Sequence, residues 1–148
     1  MANTITLKTK DLCEALSIER HQLRAWTDTL PPYCEQKTKA RSARKYQPVD
    51  LLFFSVIKHM SEMFCLTPTA IAKFSDELYT CIKEPQILTG ETLLFISPEN
   101  GKCERLDKNR VSREGFIVNI QPAYSLMCEF LGLLPQQSAL QLGLVKVK

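Results

Sequence analysis

Glycine and histidine are scarce in this chain, which has five glycines and two histidines among 148 residues. That leaves no glycine-rich loop to cradle a phosphate and little material for acid–base work. No nucleophile motif and no acid–base pair at a usable spacing takes their place, so an enzyme is the class this composition favours least. Six cysteines, at positions 13, 34, 65, 81, 103 and 128, form no CxxC pair and no zinc-ligand spacing, and neither His21 nor His59 has a neighbour of ligand type. No metal and no cofactor is therefore expected. The cysteines read as thiols filling apolar space, with Cys34, in a basic stretch, the one expected to react. No apolar run reaches membrane-spanning length and none follows the first charges, so a membrane span and a signal peptide are not expected and the chain is expected in the cytosol.

What the sequence does have is an ordinary globular balance, 45% apolar and 24% charged residues, enough for one medium domain or two small ones. Its formal charge of +3 is modest, but residues 1–50 hold nine basic side chains against six acidic, whereas the remainder is balanced. Five of those bases, Lys37, Lys39, Arg41, Arg44 and Lys45, fall in the acid-free run KTKARSARK. Positive charge concentrated in one third of a chain is the footprint expected for a polyanionic partner, DNA above all.

The segment from Thr9 to Thr27 organises the rest. After a short strand or extended lead-in within Thr4–Lys8 that turns Ile5 and Leu7 inward, Thr9 serves as N-cap of a first helix burying Leu12, Ala15 and Leu16. Ser17 and Ile18 interrupt the period. A second helix from about Glu19 faces Leu23, Trp26 and Leu30 inward and Arg20, His21, Arg24 and Thr27 outward. Such a pair is either a solvated helical hairpin or a helix-turn-helix, whose second helix enters the DNA major groove. Pro31 and Pro32 end the helix, and the polar segment to Gln47, closing on Tyr46, reads as a loop or small hairpin, a wing. Pro48 and Asp50 then open the most periodic helix, burying Val49, Leu52, Phe53, Val56, Ile57, Met60, Met63 and Phe64 as a spine beneath the pair. Thr67-Pro68 opens a fourth helix to about Lys83, with Ile71, Phe74, Leu78 and Ile82 inside.

Past Pro85 the pattern changes to short β-rich runs, 92–96, 103–106 and 116–120, separated by a Pro98-Glu99-Asn100-Gly101 turn and a charged loop. Pro122 opens a last helix whose Tyr124, Met127, Phe130, Leu131 and Leu134 leave little polar surface. About sixty residues make a meagre core alone, so this module is expected to dock on the first domain, on a second copy or on a protein partner. The expected fold class is α+β, with a four-helix winged helix-turn-helix over residues 1–84 and a small module over 85–148 that has a short antiparallel sheet and a C-terminal helix.

Leu12 and Ala15, Leu23-Arg24 with Trp26 two residues on, Leu30-Pro31, the wing end from Arg44 to Asp50 with Leu51, and Leu66-Thr67 together resemble the N-terminal domain of the MerR-type winged-helix transcription regulators. The resemblance covers roughly residues 5–83. It implies that Arg24 clamps a DNA phosphate, that Arg20 and His21 face bases or backbone, and that Arg41 and Arg44 reach the flanking backbone or minor groove. The chain departs from the family pattern at the turn, where Ser17 replaces a glycine, at Glu19 and at Thr27. It also lacks the long heptad helix and any cysteine cluster or aromatic effector pocket. The resulting expectation is a sequence-specific, double-stranded-DNA-binding regulator of bacterial or phage-like type, acting as a homodimer near the nucleoid. The alternatives are an architectural factor in excision or packaging, and an adaptor that binds a protein partner through its last helix.

Overall fold

The computed structural model describes residues 5–36, 44–83, 93–106 and 114–132. Lys37, Lys39 and Arg41 of the basic run and Leu134 of the last apolar stripe lie outside them. Described residues form mixed helix and sheet, with helices dominating the first part.

Strand β1 (Leu7–Lys8) pairs antiparallel with β2 (Lys45–Tyr46), placing Leu7 opposite Tyr46 and Lys8 opposite Lys45. The wing therefore returns onto the N-terminal strand. Ile5, expected inside, is exposed because pairing begins only at Leu7. Since β1 runs directly into α1 (Thr9–Leu16), the cap falls on Lys8, whose N–H donates to the Asp11 carboxylate at 2.8 Å, and Thr9 is the first helical residue rather than the cap. At the other end Ser17 adopts the left-handed conformation (φ 54°, ψ 46°). Its N–H donates to the Glu14 carbonyl and that of Ile18 to the Cys13 carbonyl, the Schellman pattern that closes a helix. Lys58 reaches across from the spine to donate to the Leu16 carbonyl at 2.8 Å, satisfying another carbonyl of that last turn.

Helix α2 (Arg20–Thr29) buries Leu23 and Trp26, and Leu30 behind it is fully buried. Trp26 stacks on Phe54, with ring centroids 5.9 Å apart and planes within 9°. Helix α3 (Pro48–Met63) is capped by Asp50, whose carboxylate accepts the Gln47 N–H at 2.6 Å. Every residue from Leu51 to Ile57 is buried, so no polar face remains there. The apolar period named one stripe of this helix correctly but left out Leu51, Phe54 and Ser55, and it placed Met63 inside where 65% of its surface is exposed. Cover from elements far away in sequence accounts for the difference: α1 and α2 on one side, and on another α6 (Gln121–Phe130).

The expected fourth helix is two, α4 (Pro68–Ala72), capped by the Thr67 hydroxyl accepting the Ala70 N–H, and α5 (Ser75–Lys83). The break at Lys73-Phe74 has no proline or glycine to announce it. It follows from packing: Phe74 turns into the core while the Ser75 hydroxyl donates to the Pro31 carbonyl at 2.8 Å, fixing where α5 starts.

A three-stranded antiparallel sheet follows, with β3 (Leu93–Ser97) central between β4 (Lys102–Arg105) and β5 (Phe116–Asn119). Leu94 and Ile96 of β3 and Val118 of β5 face inward. The sheet packs on α5 through β4, and α6 lies on α3. Phe64 and Phe116 stack at 4.9 Å. One continuous apolar cluster thus runs from Leu7 to Cys128. The docking expected of the last helix is therefore made within the chain. Met127, proposed from sequence as a partner contact, is buried in this core, and Tyr124, Phe130 and Leu131 pack against it half-exposed.

Candidate nucleic-acid interface

Helix α2 presents its functional side chains because its apolar residues recur on one side only. Successive residues are rotated by about 100°, so Leu23, Trp26, Thr27 and Leu30 share the inward side and His21, Ala25 and Asp28 point directly away. Arg20 and Arg24, four residues apart, line one flank and Gln22 the other. All six of these outward or flanking residues are exposed. Two guanidiniums one turn apart suit successive phosphate oxygens, and the small Ala25 lets the helix axis come close to whatever it faces. Glu19, just before the helix, lies 3.1 Å from the His21 ring, both groups nearly fully exposed.

Thr27, expected on the outward face, is instead buried, with its hydroxyl donating to the Arg24 carbonyl at 3.1 Å. The one-turn offset from Leu23 carries it to the core side, and the back-bond satisfies the hydroxyl there. Tyr46, expected from its place at the end of the wing to be a DNA contact, is likewise buried, edge-on to Phe54, because it is the β2 residue paired with inward-facing Leu7. Burial raises its phenol pKa, an effect partly offset by a hydrogen bond with Thr9 and by the Arg44 charge.

Arg44 is half-buried, and its guanidinium donates to the carbonyls of Tyr33 and Gln36 at 3.4 and 3.2 Å. It joins the short 3₁₀ turn Tyr33–Glu35 to the start of β2, the two ends between which residues 37–43 run. Beneath it lies a polar cleft of about 290 Å³ lined by Gln36, Lys45, Gln47 and Asp50 among others. The buried Asp50 carboxylate accepts hydrogen bonds from the Tyr33 and Tyr79 hydroxyls as well as from the Gln47 N–H. Burial and then the Asp50 charge push the Tyr33 phenol far above its ordinary range, so it stays a donor, and Tyr79 shifts the same way. This cluster orients the wing base and offers no vacant coordination: among the described residues no group of three or more side chains could hold a metal ion.

Lys45 is exposed, and the strand register puts it directly opposite Lys8, which sequence reading left out of the site. Like charges opposed across a strand pair repel, and a phosphate between them would relieve that. Only the β1–β2 pairing reveals Lys8, since its sequence neighbours are unremarkable.

Two helices joined at a left-handed turn, the second exposing arginines and β2 pairing with the N-terminal strand, have the arrangement of a helix-turn-helix. The family model described as MerR HTH family regulatory protein matches residues 7–78, so this region is a MerR-type helix-turn-helix. Regulators with this domain bind DNA and are typically not enzymes. No curated protein and no solved structure matches the chain. Among the described residues no helix is long and apolar enough to cross a membrane.

Proposed function

We propose that this protein is a sequence-specific DNA-binding transcriptional regulator of bacterial or phage-like type. It places α2 in the major groove, with Arg20 and Arg24 on the phosphate backbone and His21 and Gln22 at base edges. Lys8 and Lys45 take a flanking phosphate, and Lys37, Lys39 and Arg41 extend that contact along the wing. The observation that carries this reading is the division of α2: its apolar side is locked by Trp26 on Phe54, so the arginine-bearing side is held outward on a rigid base. Two copies on two half-sites would double the phosphate contacts available to a chain with a surplus of only three charges.

Fluorescence anisotropy of mixed-sequence duplex DNA across a salt series tests the reading. Binding should weaken steeply with salt, and Arg20→Ala/Arg24→Ala should lower the log–log slope by about two, one for each lost phosphate contact. If wild type and variant are equally inert at low salt, the assignment of α2 fails. Light scattering on the same samples reads the dimer, and a monomer both free and on DNA would remove that part alone.

A further inference from the structure

A second cleft, apart from the wing, opens where α6 lies on α3, with a volume of about 170 Å³. Much of its lining is apolar, supplied by Val56, Val118, Ala123 and Leu126. Ser55, Lys58, His59 and Glu62 line it from one stripe of α3, at i, i+3, i+4 and i+7, and Asn119 lines it from the end of β5. An apolar hollow with a few polar groups is the make-up of a small-molecule site, and one of this size takes about six to eight non-hydrogen atoms.

The polar groups have hydrogen-bonding capacity that the fold leaves unused. Ser55 is only 9% exposed, yet its hydroxyl has no hydrogen-bond partner among the described residues. A buried serine on a helix commonly bonds a carbonyl one turn back; a hydroxyl without that bond, lining a cleft, is a donor for whatever enters. Lys58 gives one of its three N–H donors to the Leu16 carbonyl at 2.8 Å and keeps two. Asn119 accepts the Gln121 N–H through Oδ1 at 3.0 Å, which leaves its side-chain N–H groups to donate. The first turn of α6 also borders the cleft through Pro122 and Ala123, and the N-terminal end of a helix favours negative charge.

We propose that this cleft binds a small monocarboxylate with an apolar tail of about four to six carbons. The carboxylate accepts from the Lys58 ammonium, with Ser55 and Asn119 as neutral donors, and the tail displaces water from Val118 and Leu126. Glu62 is exposed and lies one turn past Lys58, where it repels a second negative charge, so dicarboxylates are excluded. An amine of the same shape meets the Lys58 charge and is rejected likewise. The ammonium that holds the ligand is the one that satisfies the last turn of α1, which places the cleft one side chain away from the turn of the helix-turn-helix.

The test uses the full chain without DNA, so that it stands or falls apart from the assignment of α2. Isocaproate is the probe, read by isothermal titration calorimetry and thermal melting at neutral pH. The expected result is one site per chain and a melting temperature raised by about 3–6 °C at ten times the Kd. Isohexyl alcohol and isohexylamine, which keep the skeleton and lose the carboxylate, should do neither. Lys58→Met keeps the stem without the ammonium and should weaken binding about tenfold or more. Leu126→Trp leaves Lys58 in place, fills the cleft with its ring and should abolish binding, while Glu62→Gln should admit adipate, which the wild type rejects. Equal binding of the alcohol or the amine, full affinity in a folded Lys58→Met or Leu126→Trp variant, or no heat and no melting shift with isocaproate at high millimolar concentration would each overturn the proposal, the last leaving a cleft that holds water only.

Discussion

Helices α2 and α3 touch through Trp26 and Phe54 but are built on opposite plans. In α2 six of ten positions are exposed and the charged ones lie together; in α3 the eight consecutive positions from Asp50 to Ile57 are buried, and only Asp50 and Ser55 among them are polar. The difference separates the tool from its mounting. A helix whose side chains must meet a partner needs only enough apolar surface to anchor it, and Leu23, Trp26 and Leu30 supply that. A helix that positions others can surrender its whole circumference to packing.

The largest expected effect breaks the comparison at its shared contact. Phe54 is fully buried, stacked on Trp26, tilted against Tyr33 and edge-on to Tyr46 and Phe53. Phe54→Ala should cost about 3–5 kcal/mol through lost transfer energy and the cavity left behind, measured as a shift in denaturant midpoint. Because the same ring supports Trp26, DNA affinity should fall in step with the folded fraction and not before it. A variant that stays folded yet loses DNA binding would place Phe54 in the interface instead of under it.

A smaller effect sharpens the contrast between arginines exposed on α2, proposed to meet DNA, and one that serves the fold. Arg20 and Arg24 are exposed on α2, whereas Arg44 spends its guanidinium on two backbone carbonyls at the wing base. Arg44→Gln should therefore lower stability by about 1 kcal/mol and weaken DNA binding while leaving the salt slope nearly unchanged, the opposite of the Arg20/Arg24 pattern. A slope reduced by about one would return Arg44 to the phosphate role that the family resemblance implies.

The parts legible in the sequence were those set by local chemistry. The period of α2, the Pro48 and Asp50 opening of α3, the Thr67 cap and the antiparallel runs around the Pro98–Gly101 turn all depend on neighbours a few residues away, and they stand where expected. What escaped depended on distant partners. The full burial of α3 needs α6, the break before α5 needs the Pro31 carbonyl, and the burial of Thr27 and Tyr46 follows from one rotation and one strand register. Lys8 joined the candidate site by the same route, a pairing between segments tens of residues apart that no local spacing encodes.

The turn between α1 and α2 offers the smallest effect, and it acts on the mounting without touching the tool. Ser17 occupies the left-handed position of the Schellman close, where the related regulators carry glycine, and its side chain is exposed. A residue with a Cβ pays about 1–2 kcal/mol in that conformation, while a glycine gives back part of the gain through a more flexible unfolded chain. Ser17→Gly should thus stabilise the protein by about 0.5–1 kcal/mol, a rise of about 2–4 °C in melting temperature for a chain of this size. Cys13, Glu14 and Leu16 keep their carbonyl partners, so α1 and α2 hold their crossing and DNA affinity should be unaltered at every salt concentration. A fall in stability would mean that the serine side chain itself closes the turn; a change in affinity would mean that the angle between the two helices is set at residue 17, not by the packing of Trp26 on Phe54.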